Sequence, residues 1–467
     1  MRIAAIDQGT TSTRILIADA DERRDVVQAV RHAQHHPQPG FVEHDPEELL
    51  KNILACIDAA GSVDAIGIDN QGESCLAWDA RTGEALSPVI VWQDARSNDA
   101  IEHLKAEGGE ALTLERAGLP LDPYFSASKL RWLIDNNANV RAAHKRGSLR
   151  LGTTDAFFLQ RLTGICATDV TTASRTSLMN LAKGAWDEEL CRLFGVPLET
   201  LPDIRPTVSS FGAIRGMPVT ASLVDQQAAL YGHGCRKSGD IKITFGTGAF
   251  VLAVTGDKII RAPERGLLPT IAWQTREERH FAVDGGVYNA GSAVEWAERI
   301  GLLKDLGELG RFERGAAIDR GLAFVPALSG LAAPHWDRSA AGLWIGLGLD
   351  TERADMLQAI LEGVALRTAE VVDAMSASLA VAASISIDGG LTRSAYFRQF
   401  LADALGKVLH IRDFDELTAY GTASLAALGI GHTLPICPVA SEIVPKGNPA
   451  SWRARFSDAV SRARGWR

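Results

Sequence analysis

The sequence predicts an α/β protein of two large domains that share an ancestry and face each other across a cleft. Three observations carry that expectation. A glycine- and hydroxyl-rich hairpin turn, Asp7-Gln8-Gly9-Thr10-Thr11-Ser12-Thr13-Arg14, lies at the start of the chain between the apolar runs Ile3–Ile6 and Ile15–Ala18. A second one, Phe245-Gly246-Thr247-Gly248, lies between Ile241–Thr244 and Ala249–Val254. After each turn, strands and helices alternate, the pattern of layered α/β units. The 467 residues give a soft prior of about three domains, and two large ones fit equally well.

The first turn offers backbone N–H groups, hydroxyls and the fixed cation of Arg14 to one anion, a phosphate above all. An ordinary Gly/Thr hairpin would look the same locally; the second copy argues for the functional reading. Asp45 then caps a helix opened by Pro46. Its apolar residues Leu49, Leu50, Ile53, Leu54 and Ile57 keep a 3.6-residue period. Ala65–Asp69 is an apolar strand that runs into the polar segment Asn70-Gln71-Gly72-Glu73-Ser74, where α/β proteins place ligand contacts. His32, His35 and His36 fall in a polar loop and are expected to be solvated. Trp92, beside Gln93-Asp94-Ala95-Arg96, serves either as an apolar platform for a substrate or as core. Tyr124 lies just before a helix that continues through Leu130, Trp132, Leu133 and Ile134. Val219–Val224 is a strand ending in Asp225-Gln226-Gln227. Asp225 reads as a helix N-cap, a role compatible with a functional carboxylate at a strand end.

In the second half, Gly285 to Trp296 reads as a glycine-rich loop entering a helix, a geometry that brings a ligand close to backbone N–H groups at the positive helix end. Asp355–Met375 is a long helix, and Ile385–Asp388 is a strand followed by Gly389, Gly390 and a helix over 395–405. Ala419–Leu428 is a helix of small residues able to pack closely on a neighbour. The halves divide near 227–238, giving domains 1–227 and 228–467.

Composition narrows the class. Apolar residues make up 46% and charged residues 22%, as in ordinary globular proteins. A net charge of -9 argues against a nucleic-acid or basic membrane surface. The 6 cysteines are scattered without metal-ligand spacing, which fits reduced thiols in the cytoplasm. No apolar run approaches a membrane span.

Over nearly its whole length the chain resembles the FGGY carbohydrate kinases, and within them the glycerol kinases. The resemblance rests on ordered stretches: Ala5 to Ser12, Phe41 to Pro46, Ile90 to Asp94, Pro120 to Lys129, Ala173 to Thr176, Phe245 to Gly248, Gly285 to Trp296, Ala332 to Asp337 and Asp388 to Gly390. It implies two actin-like (ribonuclease H-like) ATPase domains with the nucleotide and acceptor in the cleft between them. It further implies ATP and Mg²⁺ as cofactors and a small polyol or sugar as acceptor; a homodimer or other homo-oligomer is the expected assembly. By resemblance, Thr10, Thr11 and Arg14 approach the γ-phosphate, and Gly246 and Thr247 the β-phosphate side. Gly291, Glu295, Gly389, Gly390 and Ser394 line the nucleotide pocket, with Glu295 and Ser394 standing where relatives carry glutamine and asparagine. Asp7 matches the carboxylate that helps hold Mg²⁺, Asp225 the catalytic base with Gln226 beside it, and Glu73, Trp92 and Tyr124 the acceptor site.

One departure bears on the acceptor. Glycerol kinases carry Gln-Arg-Glu where this chain has Gln71-Gly72-Glu73. Loss of that arginine predicts a wider pocket and a preference for a tetritol, pentitol or ketopentose over glycerol. The opposite follows if Arg96 or Arg175 reaches into the site instead.

Overall fold

A computed structural model describes residues 1–19, 23–310, 312–447 and 450–467. In chain order the elements that position the site are β1 (Arg2–Gln8), β2 (Ser12–Asp19), β3 (Arg24–Arg31), α1 (Pro46–Ala60), β4 (Ala65–Asn70), α2 (Ser126–Asn136), β5 (Ala213–Ile214), β6 (Met217–Val224) and α3 (Asp225–Gly232). The second half supplies β7 (Ile241–Phe245), β8 (Ala249–Gly256), β9 (Leu268–Gln274), β10 (Arg279–Val287), α4 (Gly291–Arg299), α5 (Arg353–Ser376), β11 (Ser384–Gly389), α6 (Ala395–Leu405), β12 (Val408–Arg412), α7 (Leu417–Gly429) and β13 (Val439–Ile443).

Each half is organised around one mixed sheet. The first has the order β5-β6-β4-β1-β2-β3 and the second β9-β10-β8-β7-β11-β12-β13. In both, an antiparallel hairpin (β1/β2, β7/β8) is followed by a parallel partner on its first strand, β4 on β1 and β11 on β7. The two Gly/Thr turns therefore occupy equivalent corners of equivalent sheets. Strands β1, β4 and β6 are buried almost end to end, as parallel strands covered on both faces must be.

The expected boundary at 227/228 falls inside α3, and 233–240 joins the two sheets. Helix α7, from the second half, lies against the first sheet and crosses α3. A Cβ on Gly421 would sit 1.9 Å from the Ala228 carbonyl oxygen, and one on Gly232 1.9 Å from that of Leu417. Only glycine permits that approach. One apolar core accordingly draws on both halves, joining Ile3, Leu223 and Leu230 to Leu252, Leu417 and Leu425.

Gly285 and Gly286 belong to β10, not to a loop; the entry to α4 is the short stretch 288–290. The strand passes so close to α5 that a Cβ on Gly285 would lie 2.6 Å from Val371 Cγ1, the close approach that glycine in a strand permits. Asp225 is the first residue of α3 rather than its N-cap, and no side chain caps that helix. Among the described residues, no helix is long and apolar enough to cross a membrane.

Candidate active site

Three carboxylates stand at the ends of three adjacent parallel strands. Asp7 on β1 is in register with Asp69 on β4, and β6, paired to β4, delivers Asp225 at its end. Burial pushes the Asp7 carboxyl up, against the pull of Arg14 4.0 Å away. Asp69 is pushed well up by burial and by Asp7 beside it. Thr422 of α7 donates to Asp69 Oδ2 at 2.6 Å, while Oδ1 is buried without a hydrogen-bond partner. Asp225 is raised to about 7, chiefly by burial and then by the negative charges of Asp7 and Glu73; Lys242 and the Gln226 N–H pull the other way.

Of the three, Asp225 opens on a cavity of about 130 Å³ between the halves, lined also by Thr10, Glu73, Trp92, Tyr124 and Gln226 among others. Glu73 adopts a left-handed φ of 61°, a conformation that a non-glycine residue holds at a cost and that clusters at functional sites. Tyr124 meets Trp92 edge to face at 5.7 Å, and Trp92 Nε1 donates to Thr10 Oγ1 at 3.1 Å, tying the aromatic wall to the first Gly/Thr turn. His32 is not solvated as expected: its ring is half-buried and its Nε2 lies 3.0 Å from the Thr10 carbonyl oxygen, a second brace on the same turn.

The room beside Gly72 is not empty. A Cβ there would meet Val224 Cγ1 at 3.0 Å, so an isopropyl group takes up space next to the missing side chain. Arg96 stays away from the cavity, held by Asp94 and Glu43. Arg175 reaches in. Its Nε donates to Glu73 Oε1 at 2.6 Å and its Nη2 to Asp284 Oδ2 at 3.1 Å, while Nη1 is buried without a partner. The guanidinium stays charged and offsets the burial that pushes Glu73 up. Asp284, Phe250 and Val224 also line the cavity and carry no local sequence signal.

Lys242 is fully buried on β7. It donates to Gln226 Oε1 at 2.6 Å and to Thr244 Oγ1 at 3.0 Å, linking the residue beside Asp225 to the strand that carries the second Gly/Thr turn. That turn packs on the start of α4: Gly291 N donates to the Gly246 carbonyl and Ser292 N to that of Thr247. A Cβ on Gly291 would lie 2.5 Å from the Gly246 oxygen. Thr247 lines a chamber adjoining the acceptor cavity, whereas Glu295 faces a third, open cavity with Asn289 and Ser292.

Arg14 is held between Asp7 and Glu416 of the second half, the latter at 2.5 Å. Thr11 is exposed. Gly389 has φ of 96° and presses on Phe245, and nothing would meet a Cβ on Gly390. Ser394 is engaged otherwise than expected: it caps α6 by accepting from Phe397 N and donates its hydroxyl to the Leu309 carbonyl. No group of three His, Cys, Asp or Glu side chains among the described residues is placed to hold a metal ion.

With this geometry in place, the likeness to known proteins can be set beside it. Residues 2–232 match the N-terminal domain, and residues 241–430 the C-terminal domain, of the FGGY family of carbohydrate kinases. The chain is 39% identical to a glycerol kinase of Thermus brockianus, with 99% of each chain covered. It is 37% identical to one of Haloferax volcanii, covering 99% of this chain and 98% of the relative. Among solved structures, Plasmodium falciparum glycerol kinase with ADP superposes with a TM-score of 0.90 at 30% identity, covering 99% and 98% of the two chains. A xylulose kinase of Lactobacillus acidophilus, at 21% identity and a TM-score of 0.88 over 99% of each chain, shares the fold.

Proposed function

The chain belongs to the FGGY family of carbohydrate kinases, and from that premise we propose that its acceptor is glycerol, phosphorylated on a primary hydroxyl. That it is an ATP-dependent phosphotransferase acting on an alcohol group follows from the family and its relatives. The observation that supports glycerol is Arg175: a guanidinium on the cavity wall, fixed by Glu73 and Asp284, with Nη1 left unpaired. It places on the cavity wall a positive charge that Gly72 cannot. Val224 beside Gly72 and the small cavity argue against the wider pocket expected from the sequence.

In this reading Asp225 takes the proton of the reacting hydroxyl. Glu73, Tyr124 and Arg175 hold the remaining hydroxyls, and Trp92 and Phe250 pack on the carbon chain. Thr10, Thr11 and Arg14 approach the γ-phosphate once Arg14 leaves Glu416; Gly246 and Thr247 face the β-phosphate side. Gly291, Glu295, Gly389, Gly390 and Ser394 remain the proposed nucleotide wall, Ser394 through its backbone because its hydroxyl is engaged. Mg²⁺ commonly binds proteins through one or two carboxylates plus substrate phosphates; Asp7, with Asp69 beside it, fits that donor set. When bound, the ion neutralises charge on the phosphate oxygens. The six free cysteines support a cytoplasmic setting.

The test is kcat/KM for glycerol, erythritol, D-ribulose and D-xylulose, measured by ADP release. Glycerol is expected to lead. A clear lead for any of the other three overturns the assignment.

A further inference from the structure

A second chamber of about 130 Å³ shares Trp92, Tyr124, Arg175, Phe250 and Asp284 with the acceptor cavity. Beyond that shared wall it is bounded by Phe125, Leu268, Val287, Tyr288 and Trp336, by Thr247 and Gly248 of the second Gly/Thr turn, and by the Arg338–Asp122 ion pair at its edge. This pair joins the halves, Arg338 Nη2 lying 2.9 Å from Asp122 Oδ2. Carbon dominates the chamber's lining. A sugar hydroxyl placed there would lose hydration for few partners, whereas a methylene gains by leaving water.

We propose that this chamber is a second acceptor subsite, for an apolar substituent on the carbon farthest from the reacting hydroxyl, so that the enzyme also phosphorylates short 1-O-alkylglycerols. The inference rests on glycerol occupying the first cavity with its far end at Arg175. Arg175 stands in both walls and is a pure donor, a neighbour that suits an ether oxygen as well as a hydroxyl. An alkylglycerol keeps one free primary hydroxyl. Its oxygen bonds to the γ-phosphorus of ATP, the bond from that phosphorus to the β-phosphate bridging oxygen breaks, and the hydroxyl proton passes to Asp225, leaving ADP and the phosphorylated ether. At roughly 30 Å³ per non-hydrogen atom, the share of a liquid water, the chamber holds a substituent of about four atoms.

The experiment compares kcat/KM for glycerol and its 1-O-methyl, 1-O-propyl and 1-O-hexyl ethers, in the wild type and in Leu268→Phe, which fills the chamber from β9. Each methylene buried should raise kcat/KM about fourfold, so the propyl ether should exceed the methyl ether about fifteenfold and the hexyl ether should fall behind. Leu268→Phe should cut the propyl-to-glycerol ratio about tenfold. Should that variant not fold, Leu268→Ala should instead shift the optimum to a longer chain. If glycerol is turned over while the propyl ether is no better than the methyl ether, the subsite is refuted and the glycerol assignment stands. If neither glycerol nor any ether is turned over, the acceptor assignment fails and takes this inference with it.

Discussion

Lys242 Nζ donates to Gln226 Oε1 at 2.6 Å, from a strand of the second half to the residue beside the proposed base in the first. The lysine is fully buried, and Asp388, Asp225 and Asp284 counter the burial that would strip its proton. Lys242→Met removes a positive charge that favours ionised Asp225. The acid limb of the kcat/KM profile should move to higher pH, with most of the loss at pH 7 recovered at pH 9. Lys242→Arg should move it less. An unshifted limb in Lys242→Met would reduce the lysine to a packing role.

The wild-type profile has its own expected shape. Asp225 must be ionised to accept a proton, and its carboxyl is raised to about 7. The rate should therefore be on its plateau above that value and fall about tenfold per pH unit below it. Asp225→Asn should cost roughly 10²–10⁴-fold in turnover, the size of a general-base effect, with nucleotide binding retained by calorimetry. Turnover within a few-fold of wild type would remove Asp225 from the mechanism.

Much of the fold could be read from the sequence because its signals are local. The Asp45-Pro46 cap, the strand 65–69 and the helix 395–405 each depend on residues a few positions apart. The strand-end position of Asp225 was legible for the same reason. The glycines at 285 and 286 misled because glycine usually marks a loop, whereas here it lets β10 pass against α5. Arg175 could be named only as an alternative to Arg96, and Asp284 and Val224 escaped as site residues, for another reason. Their roles exist only once segments about a hundred residues apart meet, and no spacing rule encodes that. Lys242 reads locally as a polar residue in a strand, and only partners from both halves, Gln226 and Asp225 from one and Asp284 and Asp388 from the other, explain its burial.

Arg175→Met should weaken glycerol use. A hydrogen bond to a charged group contributes about 1.5–3 kcal/mol, roughly ten- to a hundredfold. The effect should appear mainly in the KM for glycerol, with the KM for ATP nearly unchanged. Equal losses in both would point instead to a collapse of the Glu73–Asp284 wall.

Arg14 faces a competition. Glu416 holds it at 2.5 Å in a partly exposed pair, and such pairs typically contribute 0.2–1 kcal/mol. Glu416→Gln should free Arg14 for the phosphate and lower the KM for ATP by up to about fivefold. A raised KM would mean that Glu416 positions Arg14 rather than restraining it.

The crossing of α3 and α7 has a mechanical consequence. Where two backbones touch without side chains between them, the contact is the closest point between the halves and the natural pivot for a rotation of one on the other. That axle lies one helical turn from Asp225 on one side, at Ala228, and beside Thr422, the donor to Asp69, on the other. Points near an axle travel least. A rotation about it would leave the carboxylate corner nearly unchanged and carry the rim at Arg338 and Asp122 through the larger arc. In such a rotation the Arg338–Asp122 pair is the contact that must break, and the acid–base apparatus need not be rebuilt.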